Sequence, residues 1–211
     1  MFTGIIKEIG SIKNITKKDD NFVIEIRASQ VLKDLKTGDS VNVEGICSTV
    51  TETTKDSFIV SYMPETLKRT TVSLWKINDK LNLEPAMILS DKINGHLVQG
   101  HIDAIGSIKK ITKGKDSSEI EVSYPQDLAK FIAFKGSVCV DGISLTVSQI
   151  EDDCFTVSII PYTALNTTLG NKRENDKVNI EVDMISRYLK QLFDERDSQS
   201  SYEFLQERGF I

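Results

Sequence analysis

The sequence is poor in the residues that build disulfide frameworks, metal centres and nucleic-acid grooves. It holds three cysteines, Cys47, Cys139 and Cys154, among 211 residues. An odd number without CxxC spacing gives neither a disulfide framework nor a zinc knuckle, so each is read as a free thiol. Cys139 and Cys154 read as small buried hydrophobes. The two histidines, His96 and His101, have no companion cluster of Cys, Asp or Glu that would complete a zinc tetrahedron. Aromatic residues are 7% and the net charge is −5. A nucleic-acid groove would ask for stacked rings and a basic surface, so no nucleic-acid partner is expected. No stretch approaches the ~20 apolar residues that span a bilayer. Lys7 and Glu8 fall where a signal peptide needs its apolar run. No membrane partner is expected, and the expected address is the cytoplasm.

What is present is an ordinary globular balance, 39% apolar and 27% charged, arranged as a repeat. GIIKEIGSIKNI at 4–15 returns as GHIDAIGSIKKI at 100–111, and VNVEGICSTV at 41–50 as VCVDGISLTV at 138–147. VSYMPETLKRTT at 60–71 returns as VSIIPYTALNTT at 157–168, and NDKLNLE at 78–84 as NDKVNIE at 175–181. Four blocks in one order, each displaced by 96 or 97 residues, make a duplicated module with its junction near Asp91–Leu97.

Each copy alternates apolar and polar residues as half-buried strands do. VNVEGI, VCVDGI, NFVIEIRA, DSFIVSYM and DCFTVSII all carry this pattern. Turn signals separate them at Lys36–Asp39, Lys55–Ser57, Lys113–Asp116 and Glu151–Asp153. About six short strands per copy point to a small closed antiparallel barrel, because closure removes exposed edges. Val31–Leu35 and Gln126–Phe131 read as single helical turns. From Ser186, a plausible N-cap, SRYLKQLFDERD sets Tyr188, Leu189, Leu192 and Phe193 on one stripe. About three turns of helix are marginal alone in water, so the stripe should bury itself against other chains or against its own barrel. SSYEFLQERGFI at 200–211 reads either as another short helix or as disordered chain.

The duplication also shows where to look for chemistry. Cys47 aligns with Ser144; both follow Gly-Ile and precede a threonine two residues on, Thr49 and Thr146. Residues two apart on a strand share a face, so the modules carry matching polar pairs. A polar exterior face is the bland alternative. His96 and His101 sit in NGHLVQGH at the junction, either as hydrogen-bonded structural imidazoles or in proton transfer and ligand contact. Gly95 and Gly100 would let backbone approach a ligand closely.

MFTGII, GICSTVT, NGHLVQGHID, KGSVCVDGISLTV and the pair MPETL and IPYTALNTTLG together closely resemble the riboflavin synthase family of the tandem lumazine-binding type. The resemblance covers about residues 1–185. It implies an all-β fold of two tandem six-stranded antiparallel Greek-key β-barrels plus a C-terminal α-helix. The first barrel would span 1–96, the second 97–185, and the trimerisation helix 186–211. It implies the dismutation of two 6,7-dimethyl-8-ribityllumazine molecules into riboflavin and 5-amino-6-(D-ribitylamino)uracil, with no cofactor and no metal. It implies a homotrimer, with the site between the first barrel of one subunit and the second barrel of another, and admits an association with lumazine synthase.

Residue by residue, the family's ligand contacts fall in the first module on Gly4, Ile5 and Ile6, on Cys47, Ser48 and Thr49, and on Ser61, Tyr62, Met63, Pro64, Glu65 and Thr66. In the second they fall on Gly100, His101 and Ile102, on Lys135, on Ser144, Leu145 and Thr146, and on Ile160, Pro161, Tyr162, Thr163, Ala164 and Leu165. Cys47, Ser144 and His101 are the catalytic candidates; Phe2, Ser40, His96 and Asp183 match positions near the site. Ser48 stands where the family has leucine, and Tyr162 and Ala164 stand opposite Glu65 and Leu67. These departures bear on affinity and remove no catalytic candidate. Two rivals share the small-barrel pattern: a non-catalytic lumazine- or flavin-binding antenna protein, and an oligonucleotide-binding barrel. The first would degrade the polar pair of one module, and here both are intact; the second lacks its basic groove.

Overall fold

The computed structural model describes residues 1–198, with side chains as far as Phe193, together with residue 206. The segment 200–211, read above as helix or disordered chain, lies outside the described residues apart from residue 206.

Twelve strands form two closed barrels of six. The first contains β1 (Glu8–Lys18), β2 (Asn21–Arg27), β3 (Ser40–Val43), β4 (Ile46–Thr53), β5 (Ser57–Tyr62) and β6 (Lys80–Pro85), joined in the order β1-β2-β5-β4-β3-β6. The second contains β7 (Ala104–Lys113), β8 (Ser118–Ser123), β9 (Ser137–Val140), β10 (Ile143–Ile150), β11 (Cys154–Ile159) and β12 (Lys177–Val182), in the equivalent order. All pairings are antiparallel, and β1, β4, β7 and β10 each carry a register shift at the same place in the module. Such bulges let a short strand bend around a narrow barrel.

VNVEGI and VCVDGI are not single strands. Glu44 and Gly45 have φ of 50° and 86°, and Asp141 and Gly142 have 48° and 83°. These are the left-handed pairs of a two-residue hairpin turn, for which Asp-Gly is a strong signal. The helical turns at Val31–Lys33 and Gln126–Phe131 are 3₁₀. Two short helices were not legible in the strand pattern: α1 (Pro64–Arg69) and α2 (Pro161–Asn166), each begun by a proline whose fixed φ suits the first helical position.

Each barrel encloses its own core: Ile24, Ile26, Phe58 and Val60 in the first, Ile120, Val122, Phe155 and Val157 in the second. Between them lies a polar seam with approximate twofold symmetry. Asn82 Oδ1 accepts the amide of Thr168 at 2.7 Å while its Nδ2 donates to the Asp141 carbonyl at 2.9 Å. Asn179 Oδ1 accepts the amide of Thr71 at 2.8 Å while its Nδ2 donates to the Glu44 carbonyl at 2.8 Å. Both asparagines are fully buried, and each is satisfied only when the partner barrel is in place. Lys172 Nζ pairs with Asp141 Oδ2 at 3.0 Å.

The C-terminal helix α3 (Met184–Ser198) begins two residues before Ser186, which therefore is not its cap. Asp183 performs that role: its Oδ1 accepts the amide of Ile185 at 2.9 Å, while the Ser186 hydroxyl turns back to the Asp183 carbonyl. Arg187 ties the first turn to the second barrel through Asp103 Oδ2 at 2.7 Å. Tyr188, Leu189, Leu192 and Phe193 remain exposed, so the stripe does not pack on the chain's own barrel.

Candidate functional site

The alternation of β4 and β10 sorts the aligned residues. Cys47 and Thr49 face outward while Ile46, Ser48 and Val50 face the core; Ser144 and Thr146 likewise face outward while Ile143, Leu145 and Val147 face the core. The Ser48 hydroxyl lies 2.7 Å from the Tyr62 hydroxyl, both buried. Ser48 thus sits beside a tyrosine whose buried hydroxyl needs a partner. In the second barrel the corresponding positions are the apolar Leu145 and Ile159. Ser48, Tyr62 and Leu145 can therefore offer a ligand only their main chain.

Two crossing segments complete the outward faces. Phe2 and Val98 exchange backbone hydrogen bonds of 2.8 and 3.0 Å in an antiparallel bridge, and the His96 amide donates to the Thr3 carbonyl at 3.2 Å. The Ser144 amide donates to the Gly4 carbonyl at 2.8 Å, and the Cys47 amide donates to the Gly100 carbonyl at 2.9 Å. Ile6 packs on the second core and Ile102 on the first. The structure thus groups these residues the other way from the sequence order: Gly4, Ile5 and Ile6 belong with Ser144, and Gly100, His101 and Ile102 belong with Cys47. The reason is the crossover, by which each module lends its entry segment to its neighbour.

The glycines are required by this contact. Gly4 and Gly100 have φ of +74° and +82°, and a Cβ on Gly100 would sit 2.7 Å from Cys47 Cβ. Two carboxylates hold the segments. Glu84 Oε1 accepts the Thr3 amide at 2.8 Å, and Glu181 accepts the amides of Gln99, Gly100 and His101 at 2.7, 2.8 and 3.0 Å. Burial raises both carboxyls above their usual range while these donors oppose it. Glu84 and Glu181 were not singled out from the sequence, although each closes a matching repeat block, NDKLNLE or NDKVNIE, two residues after the seam asparagine.

The first pocket, about 210 Å³, is lined by Cys47, Glu65, Thr66, Arg69, His101 and Ile102 among others. Glu65 and Arg69 form an ion pair at its rim. On the equivalent face of the second barrel, His96 Nδ1 lies 2.7 Å from Ser144 Oγ. Burial pushes the His96 pKa down, against the opposing pull of Asp183, so the ring is neutral at ordinary pH. His96 Nε2 is buried and has no hydrogen-bond partner among the described residues. Lys135, at φ 62°, donates its amide to Val147 and so stands at the far end of the Ser144–Thr146 face. Ile160, Tyr162 and Leu165 are exposed along α2, as Met63 is before α1. Ser61, Pro64 and Thr163 lie in the same two strand-to-helix corners, with Ala164 turned toward the second core. Ser40 pairs with Thr49 across β3 and β4.

Among the described residues no group of three or more His, Cys, Asp or Glu could hold a metal ion. No described helix is long and apolar enough to cross a membrane.

Comparison with known proteins follows the same division. The family described as the lumazine binding domain matches residues 3–86 and again 99–183. The chain is 42% identical to the riboflavin synthase of Actinobacillus pleuropneumoniae and 38% identical to that of Bacillus subtilis (strain 168), each over 100% of both chains. It is 38% identical to the riboflavin synthase of Schizosaccharomyces pombe over 91% of this chain and 93% of that one. Among solved structures, LumP complexed with riboflavin superposes with a TM-score of 0.81 at 24% identity, and LumP complexed with flavin mononucleotide with 0.78 at 25%; each comparison covers 86% of this chain and 99% of that one.

Proposed function

The chain belongs to the riboflavin synthase family of lumazine-binding proteins, and we propose on that premise that it joins two molecules of one substrate. Two 6,7-dimethyl-8-ribityllumazines become riboflavin and 5-amino-6-(D-ribitylamino)uracil, the last step of riboflavin biosynthesis. The observation that carries this reading is the pair of matched polar strand faces, Cys47 with Thr49 and Ser144 with Thr146, each met by a borrowed glycine segment. A reaction that needs two copies of one ring is served by a fold that presents one cradle twice.

One lumazine donates a four-carbon unit and the other accepts it, so the reaction is a transfer. The carbons gained by one are those lost by the other, and the atoms balance without an external oxidant or reductant. Holding the two rings at near-attack distance supplies most of the acceleration, since effective molarities reach ~10⁵ M or more. Ser144 Oγ adds to the electrophilic C7 of one lumazine while its proton passes to His96 Nδ1, which requires the tautomer protonated at Nε2. In this reading Cys47, a free thiol that lines the first pocket together with His101, acts on the second ring. General-base assistance of this kind contributes ~10²–10⁴-fold.

The working unit in this reading is a homotrimer. Residues 1–96 and 97–185 are its lumazine-binding units, and 186–211 hold the copies together, with the first pocket of one copy facing the second pocket of another. The exposed stripe of α3 and the open corners at Met63 and Tyr162 support that assembly. The antenna reading is not favoured: the polar pairs are intact in both barrels, and the full-length relatives named above are synthases. The test is incubation of purified protein with the lumazine alone. Flavin absorbance should rise without oxygen, nicotinamide or added metal. Tight lumazine binding with no flavin formed would return the chain to the antenna class.

A further inference from the structure

The duplication supplies an internal control for a filled barrel mouth. In the first barrel Phe22 and Tyr62 pair across β2 and β5. Leu67 from α1 and Trp75, just past the following 3₁₀ turn, pack on the same core. The Tyr62 and Trp75 rings meet edge to face with centroids 5.8 Å apart. At the same places in the second barrel stand Ser118 and Ile159, paired across β8 and β11, with Ala164 from α2 and Lys172 just past its 3₁₀ turn. Three aromatic rings and a leucine have become a hydroxymethyl, a branched aliphatic chain, a methyl and a lysine stem.

The result is a cavity of about 350 Å³ floored by Ile111, Ile120, Ile159 and Leu169, with Lys113 and Lys115 at its edge. That volume lies within the ~300–1,000 Å³ usual for small-molecule sites. No carboxylate lines it. The charge of Lys172 is occupied by Asp141, so this residue contributes its aliphatic stem. Lys113 and Lys115 make no ion pair among the described residues.

The resemblance counts Pro161, Ala164 and Leu165 among the ligand contacts, but this cavity lies on the face of α2 turned away from the Ser144 strand face. Helix α1 turns Glu65, Thr66 and Arg69 toward Cys47, and the matching positions of α2 are Tyr162, Thr163 and Asn166. The cavity touches Pro161, Ala164 and Leu165. At helical spacing those lie on the opposite face of α2.

We propose that the mouth of the second barrel is a further ligand site, for a small organic anion with a flat apolar body. The floor removes the body from water, which favours binding in proportion to the apolar area buried. The two lysines select the anionic end, because among the described residues they are the unpaired charges at the edge.

The test is a fluorescence titration of the full-length protein with 1-anilinonaphthalene-8-sulfonate. The expected result is binding in the micromolar range that saturating riboflavin does not displace. Ser118→Phe installs the first barrel's own residue and should weaken the dye at least ~10-fold while riboflavin formation stays native. Ser118→Ala should bind as the native protein does. Lys113→Ala with Lys115→Ala, both at the surface, should weaken binding by ~5-fold and flatten its salt dependence. Displacement by riboflavin, or equal affinity in the native and Ser118→Phe proteins, places the dye elsewhere and overturns the site. Unchanged affinity in the double lysine variant overturns the preference for an anion.

Discussion

Ser144 Oγ and His96 Nδ1 lie 2.7 Å apart, although 48 residues separate them in the chain. The histidine comes from the junction and the serine from β10, and the pair forms because Gly95 lets the junction lie against the Ser144 side chain. A neutral imidazole can accept the serine proton and a protonated one cannot. His96→Ala should therefore lower kcat by ~10²-fold, and adding Ser144→Ala should cost little more than either change alone. Burial depresses the His96 pKa below 6.5, so the neutral form persists on the acid side of that value. The rate should fall only below it, and a pH–rate profile of His96→Gln should lose that acid limb.

Cys47 and Ser144 occupy the same position of the repeat and differ in nucleophilicity. Cys47→Ser should retain part of the activity, and Cys47→Ala should lose more. Identical steady-state rates for the three proteins would remove Cys47 from the chemistry.

Gly100 tests the crossover. Alanine there must adopt φ near +82° and place a Cβ against the backbone and side chain of Cys47. Strain of this kind costs roughly 1–3 kcal/mol. Gly100→Ala should lower the unfolding free energy by about that amount and weaken lumazine binding. Gly38→Ala is the comparison: it shares the positive φ but meets nothing within 4 Å, so it should lose stability without losing the ligand.

Glu44 gives the seam a pH signature. It is buried, and desolvation together with the charge of Asp141 raises its pKa from 4.5 to about 8. The folded state then holds a proton that the unfolded state releases above 4.5. The contribution to stability is fully present below about pH 4.5 and is lost as pH rises through about 8. Glu84 and Glu181 are raised in the same direction. In Glu44→Gln the amide oxygen can still accept from Asn82 and Thr168. The decline of Tm between those pH values should become shallower than in the native protein, as thermal unfolding across the range would register.

Ending the chain at Asp183 removes the whole of α3 and its exposed stripe while leaving both barrels. Sedimentation should then report monomers, with the flavin-forming rate lost in parallel. A trimer that survives the truncation would place the contact elsewhere.

Much of this protein is written in its local sequence. Alternation in NFVIEIRA and DCFTVSII specifies strands, and recurrence of the four blocks specifies two barrels of one kind. The outward pairing of Cys47 with Thr49, and of Ser144 with Thr146, follows from a period of two. Other features have no local signature. Pro64 and Pro161 begin helices that six residues could not sustain alone, so the barrel mouth decides them. Asp183 rather than Ser186 caps α3, because β12 ends at Val182 and the chain turns there.

The sequence by itself determined the strand pattern, the twofold repeat and the alignment of Cys47 with Ser144, since each rests on spacing along one chain. The tertiary structure alone decided that Gly100 serves Cys47 and Gly4 serves Ser144, that His96 reaches Ser144, and that the second barrel mouth is open. These are contacts between segments far apart in sequence. They are fixed by which buried amides find acceptors when two barrels are pressed together, and no period of two or 3.6 encodes that.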